Sequence, residues 1–323
     1  MATKNATKKG GNAGTGAVKN GKKSFYREYI EPFLTALIIA LVIRAIVIYP
    51  FRIPTGSMKD SLLIGDFLLA NKFVYGIRSP DWIGIPYTEI GFRIPFFRTP
   101  GFRKPRQGDV VIFKYPRNSI QNYIKRCIAT SGDIVEIRDK VVYVNGVVFE
   151  NPPHSRFSGN HYPKDFQMPG IFPPGAGNTD YYGPVRVPAP GDVYVFEESN
   201  RDRWFEWMQV ALYEGHRLKL TYGGKTVSLT EENLDKWPLA VRQYPVDSFS
   251  IDGQPLSGYR YTVRNRHYFL MGDNRDDSLD SRYWGFLPER YVVGEGLIIY
   301  WSWNASAPFH KKIRVNRILK LIH

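Results

Sequence analysis

Apolar positions along the chain fall into two regimes. From Phe33 to Pro50 (FLTALIIALVIRAIVIYP) nearly every residue is apolar, and these residues would cover all faces of a helix. From residue 51 onward the apolar runs are short, alternating or β-branched, and Gly and Pro break them. The second pattern predicts a mostly-β domain without long helices. Asp109–Tyr115 (DVVIFKY), Asn122–Ala129 (NYIKRCIA) and Asp133–Ile137 (DIVEI) read as strands. Val141–Val144 and Val147–Phe149 flank Asn145-Gly146, a two-residue hairpin signal. Residues 151–190 are rich in Pro, Gly, Asn and Tyr and read as extended loop. Residues 192–262 add short strands around a polar stretch, Thr230–Lys236. The block 151–261 therefore reads as an insertion within the β domain.

The run 33–50 admits three readings. A cleavable secretory signal would be followed by a small-x-small site, and Phe51-Arg52-Ile53-Pro54 offers none. A buried core helix is the second reading, for a run that is apolar on nearly all faces. A signal-anchor helix over 32–50 fits best, since a span needs about 20 residues with a working range of about 17–25. Arg44 lies toward its C-terminal end, from which a long side chain reaches the interface. The preceding tail, 1–31, carries six Lys and Arg27 against two Glu. Its first 24 residues hold almost nothing apolar and read as disordered. A positive flank places this tail in the cytoplasm and residues 51–323 on the outer side.

Composition narrows the class. Of 323 residues, 43% are hydrophobic and 23% charged, which excludes a wholly disordered chain and a polytopic membrane protein. A single cysteine, Cys127, excludes an intrachain disulfide framework and any cysteine-cluster zinc site. Cys127 itself reads as a small packed residue. The six His are scattered without metal-ligand spacing, and His267 reads as structural. The net charge of +14 points to anionic lipid or nucleic acid as a neighbour without choosing between them. Residues 82–102 (WIGIPYTEIGFRIPFFRTPGF) form either a core strand pair or an exposed apolar loop at a membrane surface. The C-terminal HKKIRVNRILKLIH reads as a basic last helix, with an amphipathic surface segment as the alternative.

No G-x-S-x-G, S-x-x-K, H-E-x-x-H or Walker A pattern occurs. Three other segments are dense in chemistry. Ile53-Pro54-Thr55-Gly56-Ser57-Met58 bends directly after the apolar run. Tyr123-Ile124-Lys125-Arg126 places a lysine inside a β-branched run. Burial there would disfavour its ammonium and make a neutral amine available as a general base. Met271 to Arg282 (MGDNRDDSLDSR) is too charged for an ordinary turn, and it lacks the Gly and terminal Glu of a calcium loop.

Taken in order, IPTGSM, LLIGDF, QGDVVIFKYP, YIKR and MGDNRDDSLDSRYWGFLP resemble the successive boxes of the type I signal peptidase (leader peptidase) family. The resemblance covers roughly 32–150 and 262–300, and the family places a variable subdomain between. It implies a single N-terminal transmembrane helix and a β-rich extracytoplasmic catalytic domain in a bacterial inner membrane. It also implies a Ser/Lys endopeptidase that removes signal peptides after small residues, Ala-x-Ala in type. Ser57 matches the nucleophile and Lys125 the general base. Thr55 matches the hydroxyl that helps the Ser57 N–H form the oxyanion hole, and Ser278 the serine that orients the lysine amine. Asp273, Arg275, Asp280, Arg282 and Arg126 match the charged scaffold. Phe51 and Ile53 are candidates for the substrate pocket. No metal or cofactor is implied. The expected partners are signal-peptide-bearing preproteins and membrane lipid, not nucleic acid. The chain departs from the family pattern at Lys59-Asp60-Ser61, at Ile128–Asp133 and at Asp277, where Pro-Thr, Gly-x-Pro-Gly and Asn are common. None of these is a dyad position. Three rivals differ in class: an autoprotease of the SOS-repressor type, a non-catalytic basic binding protein at the membrane, and an inactive relative serving as scaffold.

Overall fold

The computed structural model describes residues 25–322 except 47, 80, 81, 85–89, 154 and 158. Of the tail 1–31 expected to be disordered, residues 1–24 lie outside the described residues, and 25–31 are helical instead. The chain divides into two compact units, one ending at Val42 and one starting at Ile43. A π-helical turn, Tyr26–Ile30, leads into α1 (Glu31–Ile46). Among the described residues no helix is long and apolar enough to cross a membrane. The helix ends earlier than the apolar run, because Ile48 to Pro50 belong to a strand.

The strands in chain order are β1 (Ile48–Arg52), β2 (Asp66–Asn71), β3 (Trp82–Gly84), β4 (Gly91–Arg93), β5 (Val110–Tyr115), β6 (Asn118–Thr130), β7 (Ile134–Arg138), β8 (Val141–Val144) and β9 (Val147–Val148). The stretch read as an insertion holds β10 (Tyr182–Arg186), β11 (Val193–Val195), α2 (Trp204–Tyr213), β12 (Leu218–Tyr222), β13 (Lys225–Ser228), α3 (Trp237–Gln243), β14 (Phe249–Ile251), β15 (Gln254–Pro255) and β16 (Arg260–Thr262). The chain closes with β17 (His267–Met271), α4 (Ser281–Trp284), β18 (Leu287–Pro288), β19 (Val292–Ser302) and β20 (Lys320–Leu321).

The main sheet has the order β1-β2-β19-β5-β6-β17-β18, with β20 paired to β19. Its pairs are antiparallel. Lys125 on β6 stands opposite Val111 of β5, and Arg126 stands opposite both Val110 and Met271 of β17. Asn145 (φ 53) and Gly146 (φ 79) turn β8 into β9, as the Asn-Gly pair predicts. A small core joins the β1 edge of this sheet to its middle strands: Phe51, Ile53, Met58 and Leu62 from the β1 side meet Val110, Ile112 and Ile124 of β5 and β6. Phe51 and Ile53 are thus core residues. The larger core runs from Val111, Cys127 and Phe269 into the insertion, through Trp204, Trp207 and Tyr261.

Three expectations change. The insertion contains helices: α2 buries every residue but Leu212, so no polar stripe betrays it. The C-terminal segment is not a helix. It forms two 3₁₀ turns and β20, and Leu319 between them takes a left-handed φ of 62° that ends any helical run. In 82–102 the strand pair β3–β4 forms, but Ile90, Phe92, Phe96, Phe97 and Phe102 are exposed rather than core.

Candidate active site

The loop that carries Ser57 runs from the end of β1 to the start of β2. The Ile53 N–H donates to Asp66 O and the Gly65 N–H to Ile53 O, which closes the loop at its base. Below it Asp66 is fully buried, and its carboxylate accepts from Leu63 N, Ser302 Oγ (2.6 Å) and the Arg317 guanidinium (2.7 Å). Arg317 also donates to Ser61 O at 2.9 Å, so one cation ties the loop to the C-terminal segment. Within the loop, the Lys59 N–H donates to Gly56 O and the Leu62 N–H to Met58 O. Met58 and Leu62 are buried in the small core, so the turn that carries Ser57 is anchored by its own apolar side chains.

Ser57 meets Lys125. The Lys125 Nζ donates to Ser57 Oγ at 2.6 Å and to Ile124 O at 3.2 Å. Lys125 is 3% exposed and Ser57 8%. Burial pulls the Lys125 pKa down from 10.5 to about 8, against the pull of Asp280 and Asp273. The amine is thereby brought into the range where a base works near neutral pH. Lys125 Nζ also lies 5.6 Å from the centre of the Tyr123 ring. The Ser57 N–H makes no hydrogen bond among the described residues. Thr55, beside it, is exposed.

The charged box after β17 surrounds this pair. Arg126 reaches Asp273 through two 2.8 Å bonds, Nε to Oδ1 and Nη2 to Oδ2, and gives Nη1 to Gly108 O. Arg282 makes the same two-pronged contact with Asp280, both bonds at 2.9 Å, and also donates to Arg275 O. Both pairs are buried. Burial alone would raise the Asp280 carboxyl, but Arg282 holds it below its ordinary value. Asp280 accepts from Gly272 N as well, and Ser281 Oγ from Leu270 N, which fixes the exit from β17. Arg275 is buried with Nε and Nη2 unpartnered. Burial, then the neighbouring Arg282, lowers its pKa to about 10. Ser278 Oγ stands near enough to Asp280 to favour its charge but meets no partner in hydrogen-bond geometry. The Lys125–Ser278 hydrogen bond that the resemblance implies is therefore not formed here.

Contacts that the sequence did not announce complete the site. Asn274 donates through its backbone N–H to Ser57 O at 3.0 Å, and through Nδ2 to Gly56 O at 3.0 Å. The inserted block grips the same loop: Arg156 N donates to Asp273 O, Arg275 N to Arg156 O, and Gly159 N to Asp276. Lys140 bonds Asp276 from the other side at 3.1 Å. These bonds are mostly main-chain, so no residue type signals them. Cys127 and His267 are buried away from this chemistry. Burial raises the Cys127 thiol and lowers His267 to about 4.

Residues 26–301 match the family model "Signal peptidase, peptidase S26". The chain is 29% identical over 298 residues to signal peptidase I of Pseudomonas aeruginosa, covering 88% of this chain and 76% of that one. It is 30% identical over 312 residues to signal peptidase I of Buchnera aphidicola subsp. Schizaphis graminum, covering 93% and 83%. Against signal peptidase I of Aquifex aeolicus the identity is 28% over 276 residues, covering 85% and 84%. A crystal structure of a signal peptidase I from Enterococcus faecalis V583 matches with 20% identity and a TM-score of 0.24, over 60% of this chain and 97% of that one. With the model spanning most of its length, the chain belongs to the signal peptidase family, peptidase S26.

Proposed function

We propose that this chain is a signal peptidase I, a serine endopeptidase that removes N-terminal signal peptides from exported preproteins. The observation that carries the reading is the 2.6 Å contact between Lys125 Nζ and Ser57 Oγ in a buried setting that favours the neutral amine. Ser57 Oγ attacks the scissile carbonyl while Lys125 accepts its proton. The Ser57 N–H, with the Thr55 hydroxyl beside it, receives the developing oxyanion; one such donor is typically worth about 3–4 kcal/mol. The lysine then returns its proton to the leaving amine. A water activated by the same amine hydrolyses the acyl-enzyme and regenerates Ser57. The Arg126–Asp273 and Arg282–Asp280 pairs hold the frame around these atoms.

The apolar run 33–50 serves as the membrane anchor in this reading. The Lys-rich tail stays cytoplasmic. The catalytic domain then lies outside, with Ser57 seven residues from the end of that run, where an exported precursor emerges. The exposed Ile90, Phe92, Phe97 and Phe102 support a lipid-facing role for 82–102. The test is cleavage of a precursor carrying an Ala-x-Ala site by the detergent-solubilised full chain. Wild type cuts after that site, and Ser57→Ala and Lys125→Ala do not. A folded but inert wild type, or a Lys125→Ala variant that still cuts, overturns the assignment.

A further inference from the structure

The peptide planes on both sides of the nucleophile are held by one residue outside the nucleophile loop. Asn274 takes the carbonyl of Ser57 with its main chain and the carbonyl of Gly56 with its side chain, both at 3.0 Å. Its amide can point only one way, because a flip would set Oδ1 against the Gly56 carbonyl oxygen. In a trans peptide the carbonyl and the next N–H point in opposite directions within one rigid plane. Fixing Gly56 O therefore fixes where the Ser57 N–H points: away from Asn274, where it has no acceptor among the described residues. The Lys59 N–H also bonds Gly56 O, but it belongs to the same turn and moves with it. Asn274 is the contact that refers this peptide to β17 and the charged box. It is 3% exposed, and its Oδ1 has no partner, so its donor end is the one in use.

We propose that Asn274 is a positioning residue for the oxyanion hole. It acts through the Gly56–Ser57 peptide and leaves the Lys125 amine untouched. This rests on the peptidase reading above and adds to it a residue that no motif argument selected.

The experiment compares wild type, Asn274→Ala and Asn274→Asp as full-length protein in detergent. Four quantities are measured: kcat and KM for an Ala-x-Ala precursor, the pH profile, the affinity for a substrate-matched peptide boronic acid, and the affinity for the cleaved product peptide. The boronate places a tetrahedral oxyanion in the hole, and the product peptide does not. Loss of an oxyanion donor itself costs about 10²–10³ in kcat. Loss of the group that aims it is expected to cost about 10–100-fold in kcat, with KM within about threefold. Boronate affinity falls by the same factor as kcat, while product affinity and the pH profile stay put. The Asp variant keeps the shape but offers an acceptor to Gly56 O, so it loses at least as much. Unchanged kcat, equal losses of boronate and product affinity, or a shifted pH profile would each overturn the proposal. So would both variants melting well below wild type, which would make Asn274 a structural strut. An inert wild type refutes the peptidase reading and this inference with it. An active wild type with an unaffected Asn274→Ala refutes this inference alone.

Discussion

Gly272 brings the exit of β17 against the Ser57 turn, and replacing it with Ala tests whether the closeness of two backbones sets the rate. A methyl group there would lie 2.4 Å from Ser57 O, 2.3 Å from Ser278 Oγ and 2.7 Å from Ser278 Cβ. The serine side chain can rotate away, but the carbonyl belongs to the backbone. An ordinary contact would need the β17 exit and the nucleophile turn to separate by about 1 Å. That separation breaks the 3.0 Å bond from the Asn274 N–H to Ser57 O. Overpacking of this kind costs about 1–3 kcal/mol of stability. A displacement of about 1 Å at reacting atoms costs about 10² in rate, equivalent to about 2.7 kcal/mol of activation free energy. Gly272→Ala is therefore expected to keep its fold, melt a few degrees lower and cut about a hundredfold more slowly. The assays are precursor cleavage under saturating substrate and a thermal melt. Gly56→Ala is the stability control, since a methyl group there meets nothing within 4 Å. Wild-type kcat in Gly272→Ala, with an unchanged melt, would refute the idea that this approach is tight enough to matter.

Three further outcomes follow from the same structure. Burial favours the neutral Lys125 amine, so its folded pKa of about 8 lies below the ordinary 10.5 and the unfolded chain binds the extra proton between those values. Activity should thus rise with unit slope up to pH about 8 and level off above it, while this group's contribution to stability grows from pH about 8 to 10.5; a kcat/KM profile flat from pH 6 to 9 would contradict this. Arg317→Ala takes the near cation from the buried Asp66 carboxylate, leaving Arg314 at 3.7 Å, and frees Ser61 O; it should destabilise by about 1.5–3 kcal/mol in denaturant unfolding, a loss under about 0.5 kcal/mol counting against the anchoring role. The fully buried Cys127 thiol, its pKa raised by burial, should resist a thiol-specific chromophoric reagent in the native protein and react only on unfolding; labelling of the folded, active chain would show that the strand opens.

The strands were legible because their signals are local. Alternation marked β5 to β8, Asn145-Gly146 marked the hairpin, and a lysine in an apolar run stood out as chemistry. The insertion's α2 was not legible, since a helix buried all round has no amphipathic period. The C-terminal segment misled because cations interleaved with Ile and Leu suit a helix, whereas pairing of Ile298 and Ile299 with Leu321 and Lys320 decides the outcome. Around the site, the charged scaffold could be found from the family resemblance, but the roles of Arg156 and Gly159 could not. Their N–H and C=O groups do the holding, and every residue carries those. Asn274 sat inside a recognised box, yet its spacing gave no hint that its amide reaches Gly56, 218 residues earlier.

The order of the main sheet has a kinetic consequence. Ser57 follows β1 at one edge, and Lys125 lies on β6, four places along the sheet. They meet only when the sheet coils far enough for Phe51 and Ile53 to share a core with Ile112 and Ile124. β19, which fills the gap between β2 and β5, comes from the last tenth of the chain. Closing the sheet around β19 therefore carries the loop-closure cost of contacts far apart in sequence. The native arrangement of Ser57 beside Lys125 thus rests on a sheet whose middle strand is among the last parts of the chain to be made.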